Sequence, residues 1–179
     1  MENLDLELEL WNHQNEIIVL GSLYANPEES GFTYMDAINN SEKLLALTLS
    51  GDESGVAAMI EQVHQENTSI LQYNDENSLA CVLSLAFYTA RNRYEIIREL
   101  PTGKGFADIV LLPHRNVDVP AVVLELKWNE KAETAISQIK RQNYVKPLMH
   151  YAGDVILVGI NYDKHSKQHS CKIETVKKR

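Results

Sequence analysis

The sequence predicts an α/β protein: a mixed β-sheet flanked by helices, with an N-terminal helical extension. Two observations predict it. From about residue 75 the hydrophobic pattern reads α-β-β-β-α-β, with a further closing strand, an order that builds one sheet covered by helices. Ahead of it, residues 1–70 form an acidic, mostly helical extension or linker, which leaves 71–179 as the sheet-bearing domain. The 179 residues, 44% hydrophobic and 23% charged, suit one domain plus an appendage and exclude wholesale disorder.

The elements follow in order. Leu4, Leu6, Leu8 and Leu10 alternate with acidic residues, as in a strand or extended arm, and Asn26-Pro27 with Ser30-Gly31 punctuates a loop. Tyr34 to Leu49 is helix-like and ends near Ser50-Gly51. Asp52 is placed to cap the next helix, where Val56, Met59, Ile60 and Val63 recur at helical spacing. Asp75 is a second N-cap, for a helix to about Ala90 with Leu79, Val82, Leu83, Ala86 and Phe87 on its apolar face.

Strands are expected over Tyr94–Leu100 and Phe106–Leu112, joined by the turn Pro101–Gly105. The polar segment Pro113–Pro120 reads as a hairpin loop leading to Ala121–Trp128, the most apolar strand. A helix over about Lys131–Tyr144, a buried strand Val155–Tyr162 and an edge strand Lys172–Val176 complete the chain.

Several function classes fall away on composition. Cys81 and Cys171 lack a second Cys or His at ligand spacing, so neither a structural zinc site nor a redox pair is indicated. His64, His114, His150, His165 and His169 show no ligand spacing either. Apolar runs reach about eight residues, short of the ~20 needed to span a bilayer. The acidic N-terminus is unlike a secretory signal, so the expected location is cytoplasmic, with no membrane partner. The net charge of −8 is unevenly spread. Residues 1–80 carry one basic side chain against fifteen acidic ones, whereas residues 91–150 carry ten basic against seven acidic. A polyanion would be repelled only by the first part.

The chemistry concentrates in Val123-Leu124-Glu125-Leu126-Lys127. Strand alternation sends Glu125 and Lys127 to one face and the two leucines to the other. Opposite charges in an apolar strand are costly unless paired or used. Asp108 is a single carboxylate amid apolar neighbours one strand earlier, and hairpin pairing brings it beside Glu125. Converging carboxylates are the ligands that Mg²⁺ or Mn²⁺ prefer. Lys127 alongside them can orient an attacking water while the metal offsets phosphate charge.

The runs GFADIVLL, AVVLELKW, AISQIKRQNYVKPL and VILVGINY resemble the PD-(D/E)XK nuclease superfamily over about residues 70–165, most nearly its branch associated with AAA-type ATPases. The resemblance implies a restriction-endonuclease-like fold and a Mg²⁺- or Mn²⁺-dependent nuclease acting on nucleic acid, most simply DNA. By resemblance Asp108, Glu125 and Lys127 match the core signature, Glu76 the acidic residue of the preceding helix, Gln138 the glutamine of the following helix, and Tyr144 its aromatic partner. The implied metal shell is Asp108, Glu125, the backbone carbonyl of Leu126 and Glu76, with Lys127 positioning water and Gln138 supporting the site. Lys104, Lys140, Arg141, Tyr144 and Lys146 are the candidate nucleic-acid contacts. The family's usual proline before the motif aspartate is Ala107 here.

No G-x-x-x-x-G-K-[ST] motif accompanies the ATPase association. The chain is thus expected to be a standalone relative or a piece of a longer protein, with an ATPase domain or subunit as a candidate partner. Each assignment has a plainer counterpart. Glu76 suits a helix N-terminus through the dipole alone, Glu125 and Lys127 suit a surface ion pair, and Lys140, Arg141 and Lys146 suit a solvated basic face. The rival reading of the whole is a catalytically inactive nuclease-fold module that binds nucleic acid or a protein. A small-molecule hydrolase is disfavoured, because neither a nucleophile elbow nor a phosphate loop is present.

Overall fold

The computed structural model describes residues 34–67, 79–80, 83–84, 86–101, 106–142, 148, 151 and 153–177. The extended arm, the loop of residues 26–31, the Asp75 cap, most of the Pro101–Gly105 turn and the site candidates Glu76, Lys104, Tyr144 and Lys146 lie outside the described residues.

Helix α1 (Tyr34–Ser50) buries Ser41, Leu44, Leu45 and Thr48 on one face. It stops at Gly51, whose φ of 77° is open to glycine without a Cβ penalty. There the Gly51 N–H donates to Thr48 O at 3.2 Å and the Asp52 N–H to Leu47 O at 3.0 Å, satisfying the last carbonyls. Asp52 then caps α2 (Glu53–Asn67), its Oδ1 accepting the Gly55 N–H at 2.9 Å. Helical residues among 79–86 and a short 3-10 turn (Tyr88–Asn92) lead into the sheet. The helix expected to reach Ala90 therefore tightens at its end, where Ser41 Oγ of α1 accepts the Thr89 N–H at 2.9 Å.

The strands are β1 (Tyr94–Pro101), β2 (Phe106–Pro113), β3 (Ala121–Trp128), β4 (Val155–Asp163) and β5 (Gln168–Val176). They form one sheet in sequence order; β3 and β4 are parallel and the other neighbours antiparallel. Helix α3 (Ala132–Gln142) makes the crossover between the parallel pair. Each face of the sheet has its own core. Leu124, Leu126, Val158 and Ile160 pack with Leu44, Ile60, Leu83 and Phe87 on one side. On the other, Val110, Val123 and Leu157 pack with Ile136 and Ile139 of α3. Gly159 lets α3 approach β4, because a Cβ there would lie 2.3 Å from Ala132 O.

Strand directions put Pro101, Phe106, Trp128, Asp163 and Gln168 at one end of the sheet. We refer to it as the open end. The loop between β2 and β3 lies at the opposite end. Among the described residues no helix is long and apolar enough to cross a membrane.

Candidate functional site

The central strand β3 is buried along almost its whole length, yet near the open end it carries two charges. Glu125 is 1% exposed and Lys127 7% exposed, and the Lys127 ammonium contacts Glu125 Oε1 at 3.2 Å. Alternation along the strand places them together on the α3 face, opposite Leu124 and Leu126. Burying such a pair costs several kcal/mol of desolvation per ion, to an order of magnitude, and the mutual attraction only partly offsets it. The Gln138 side-chain amide of α3 also donates to Glu125 Oε1, so helix and strand hold this carboxylate jointly.

Asp108 reaches the same place by a break in the ladder. The β2–β3 pairs run from Leu111–Val122 to Ile109–Leu124 and go no further. Beyond that point the Leu126 N–H, which an unbroken ladder would give to a β2 carbonyl, donates instead to Asp108 Oδ2 at 2.7 Å. The carboxylate is thereby wedged between the two strands one step from Glu125 and Lys127. The β1–β2 ladder is interrupted at the same level: Arg98 pairs with Ile109 and Leu100 with Ala107, skipping Glu99 and Asp108. Glu99 takes a φ of 52°, an uncommon conformation for a residue with a Cβ.

Burial pushes the Asp108 carboxyl above its ordinary value of 3.8. The Leu126 N–H and the Lys127 charge oppose that rise, the nearby Glu99 charge adds to it, and Arg98 opposes it. Nearby positive charge would relieve such a carboxylate.

The donors fit a hard divalent cation. Mg²⁺ is commonly held by one or two carboxylates together with substrate phosphate and water, and Asp108 and Glu125 supply two carboxylates within one short stretch of sheet. Among the described residues no group of three or more His, Cys, Asp or Glu side chains is placed to hold a metal.

The structure thus brings together Asp108, Glu125, Lys127 and Gln138 of the residues singled out in the sequence. Lys140 and Arg141 stand apart: α3 runs from the open end back toward the other, and Lys140 pairs with Glu174 of β5 at 2.5 Å. Among the described residues, the exposed lysines at the open end are Lys131, after β3, and Lys164 and Lys167, in the β4–β5 turn. These loops are tied to one another. Asn129 Oδ1 accepts the Lys164 N–H at 2.9 Å, and Asn161 Oδ1 accepts the Glu130 N–H at 2.9 Å. Asp163 Oδ1 accepts the His165 N–H at 2.7 Å and the Ser166 N–H at 3.2 Å, which hold its carboxyl below the ordinary range. Sequence reading missed these lysines because no local signal tells which turns share an end of a sheet.

A family model of the PD-(D/E)XK nuclease superfamily matches residues 57–171, from within α2 to β5. No curated protein matches the chain.

Proposed function

Because the chain belongs to the PD-(D/E)XK nuclease superfamily, we propose that it hydrolyses phosphodiester bonds of nucleic acid, DNA before RNA, with Mg²⁺ or Mn²⁺. The observation that carries this reading is the convergence of Asp108, Glu125, Lys127 and Gln138 at the point where β2 and β3 part. A buried charge cluster in the middle of a sheet is a poor way to stabilise a fold, and it suits a site whose charges are used.

Asp108, Glu125 and the backbone carbonyl of Leu126 would hold the cation, with Glu76 a further candidate. A bound divalent ion would supply Lewis acidity that offsets negative charge on the phosphate. Lys127 holds its ammonium beside Glu125, where it orients the attacking water and offsets charge as it develops. Gln138 fixes Glu125 so that one carboxylate oxygen stays committed to the supporting groups. The wedged Asp108 is fixed by the Leu126 N–H, so little reorganisation is needed on binding. Lys131, Lys164 and Lys167 are the phosphate contacts we favour, since they ring the open end, and Lys140 is engaged elsewhere.

The test is a cleavage assay with labelled single-stranded DNA, duplex DNA, branched DNA and RNA in Mg²⁺ or Mn²⁺. Cutting of at least one substrate that stops on chelation is expected. Protein that cuts none of them with either metal, while still binding nucleic acid, would favour an inactive binding module.

A further inference from the structure

Two large hydrophobic side chains are exposed among the described residues, Tyr88 and Phe106. Tyr88 is accounted for locally, with the Arg91 guanidinium 5.9 Å from its ring centroid, before β1 and at the end remote from the site. Phe106 is 60% exposed at the open end, two residues before Asp108. A single exposed phenylalanine is ordinary on a protein surface. Its setting here is not.

The backbone under Phe106 is held across the sheet and on its C-terminal side. Phe106 pairs with Pro101 of β1, whose ring locks its own φ. The next residue, Ala107, is fully buried in the core beneath α3. After that comes Asp108, clamped by the Leu126 N–H. At a rise of about 3.3 Å per residue, the Phe106 Cα lies roughly 7 Å along the strand from that of Asp108. Because Ala107 faces α3, alternation sends Phe106 to the other face, at the rim of the open end. A rigidly mounted aromatic with two side-chain torsions loses little entropy when it stacks. Burying a phenylalanine stabilises by about 1.5–3 kcal/mol, a gain that the described residues leave unrealised for most of this ring.

We propose that Phe106 is a stacking platform for an unpaired nucleobase at the rim of the open end, on the strand that carries Asp108, so that the substrate is nucleic acid with unstacked bases rather than intact duplex. The inference rests on the nuclease reading above and sharpens it. Within a duplex both faces of a base are covered by its neighbours, so an exposed ring can cover only an end, a splayed or a single-stranded base. Phe106 is uncharged and would contribute base contact, while the lysines of the open end contribute charge. The two contributions separate experimentally.

Equilibrium binding is measured by fluorescence anisotropy without divalent metal, on three probes: oligothymidine, an abasic strand of equal length and a blunt duplex. Phe106→Ala should bind oligothymidine roughly 5- to 150-fold more weakly, equivalent to about 1–3 kcal/mol. Its affinity for the abasic strand and the salt dependence of binding should stay as in wild type, and Phe106→Trp should restore oligothymidine binding. Unaltered Mn²⁺ binding by Phe106→Ala shows that the site still folds. Wild-type affinity for oligothymidine in Phe106→Ala, or an equal loss on the abasic strand, would overturn the inference while leaving the nuclease reading intact. Wild-type protein that binds none of the three probes and cuts no substrate with either metal would overturn both.

Discussion

On β2 the Asp108 carboxylate takes a strand N–H, that of Leu126, at 2.7 Å, and at the far edge of the sheet Glu53 takes that of Ile173 at 2.9 Å. The two acids nevertheless shift in opposite directions. Glu53 is drawn below its ordinary value of 4.5 by the Ile173 N–H and by Lys172, whose ammonium lies 3.0 Å away. Asp108 is pushed up because burial outweighs its hydrogen bond and the neighbouring lysine. About two turns further along α2, Glu61 repeats the edge arrangement, with Oε2 accepting the His169 N–H at 3.1 Å and contacting His169 Nδ1 at 2.6 Å. The α2 carboxylates therefore cover N–H groups of an edge strand that could otherwise recruit another chain. They stabilise the fold; Asp108 strains it. A hydrogen bond to a strand N–H is common to both regions, and the degree of desolvation decides its consequence.

The largest contrast should appear in catalysis. Lys127→Gln keeps a donor for Glu125 but removes the positive charge, and it should lower the cleavage rate roughly 10²-fold or more while metal affinity changes little. Cleavage at the wild-type rate would show that this charge takes no part. At the edge, Glu61→Ala leaves the His169 N–H without its acceptor and should cost about 1–3 kcal/mol in chemical denaturation. Metal binding should be unchanged by it. A loss of Mn²⁺ affinity in Glu61→Ala would mean that the two regions are not separate.

Acid should also distinguish the regions. Burial lowers the pKa of His169 from its ordinary 6.5, against the opposing pull of Glu61. The unfolded chain then binds more protons, so this contribution is full above about pH 6.5 and is lost as the pH falls through the folded value. Glu53 acts in the same sense at lower pH, since its folded pKa is depressed. Asp108 acts oppositely: its raised folded pKa makes it a cost at neutral pH that diminishes on acidification. Stability of His169→Gln between pH 7 and 5 should accordingly fall less than that of wild type. Equal slopes would mean that the His169 ring titrates alike in the folded and unfolded chain.

Much of this was legible in the sequence because it is local. Period-two alternation gave the partnership of Glu125 and Lys127, and the unbroken apolar run from Ala121 placed their strand at the centre of the sheet. The Asp52 cap and the hairpin between β2 and β3 are also short-range patterns. What escaped is long-range. The polar residues Gln168 to Cys171 hid the first half of β5, which pairs with β4 from Gln168 onward. Glu61 meets His169 across 108 positions and Glu53 meets Ile173 across 120. No pattern in α2 announces either contact. The α2 residues Val56, Met59 and Ile60 read correctly as an apolar face, yet what that face covers, a core shared with β3 and β4, follows only from the tertiary structure. The wedge at Asp108 escaped too, since hairpin register implies a neighbour of Glu125 but not a ladder that stops at Ile109.

The central claim is that Asp108 is tolerated as a half-buried charge because a divalent cation uses it. Asp108→Asn separates that role from folding. The amide oxygen can still accept the Leu126 N–H, and the desolvated charge is gone, so the variant should unfold at a temperature equal to or above wild type in metal-free buffer. Calorimetric titration of both proteins with Mn²⁺ is the decisive measurement. Saturable binding by wild type that disappears in a fully folded Asp108→Asn is the predicted result. Indistinguishable Mn²⁺ isotherms for the two would contradict it.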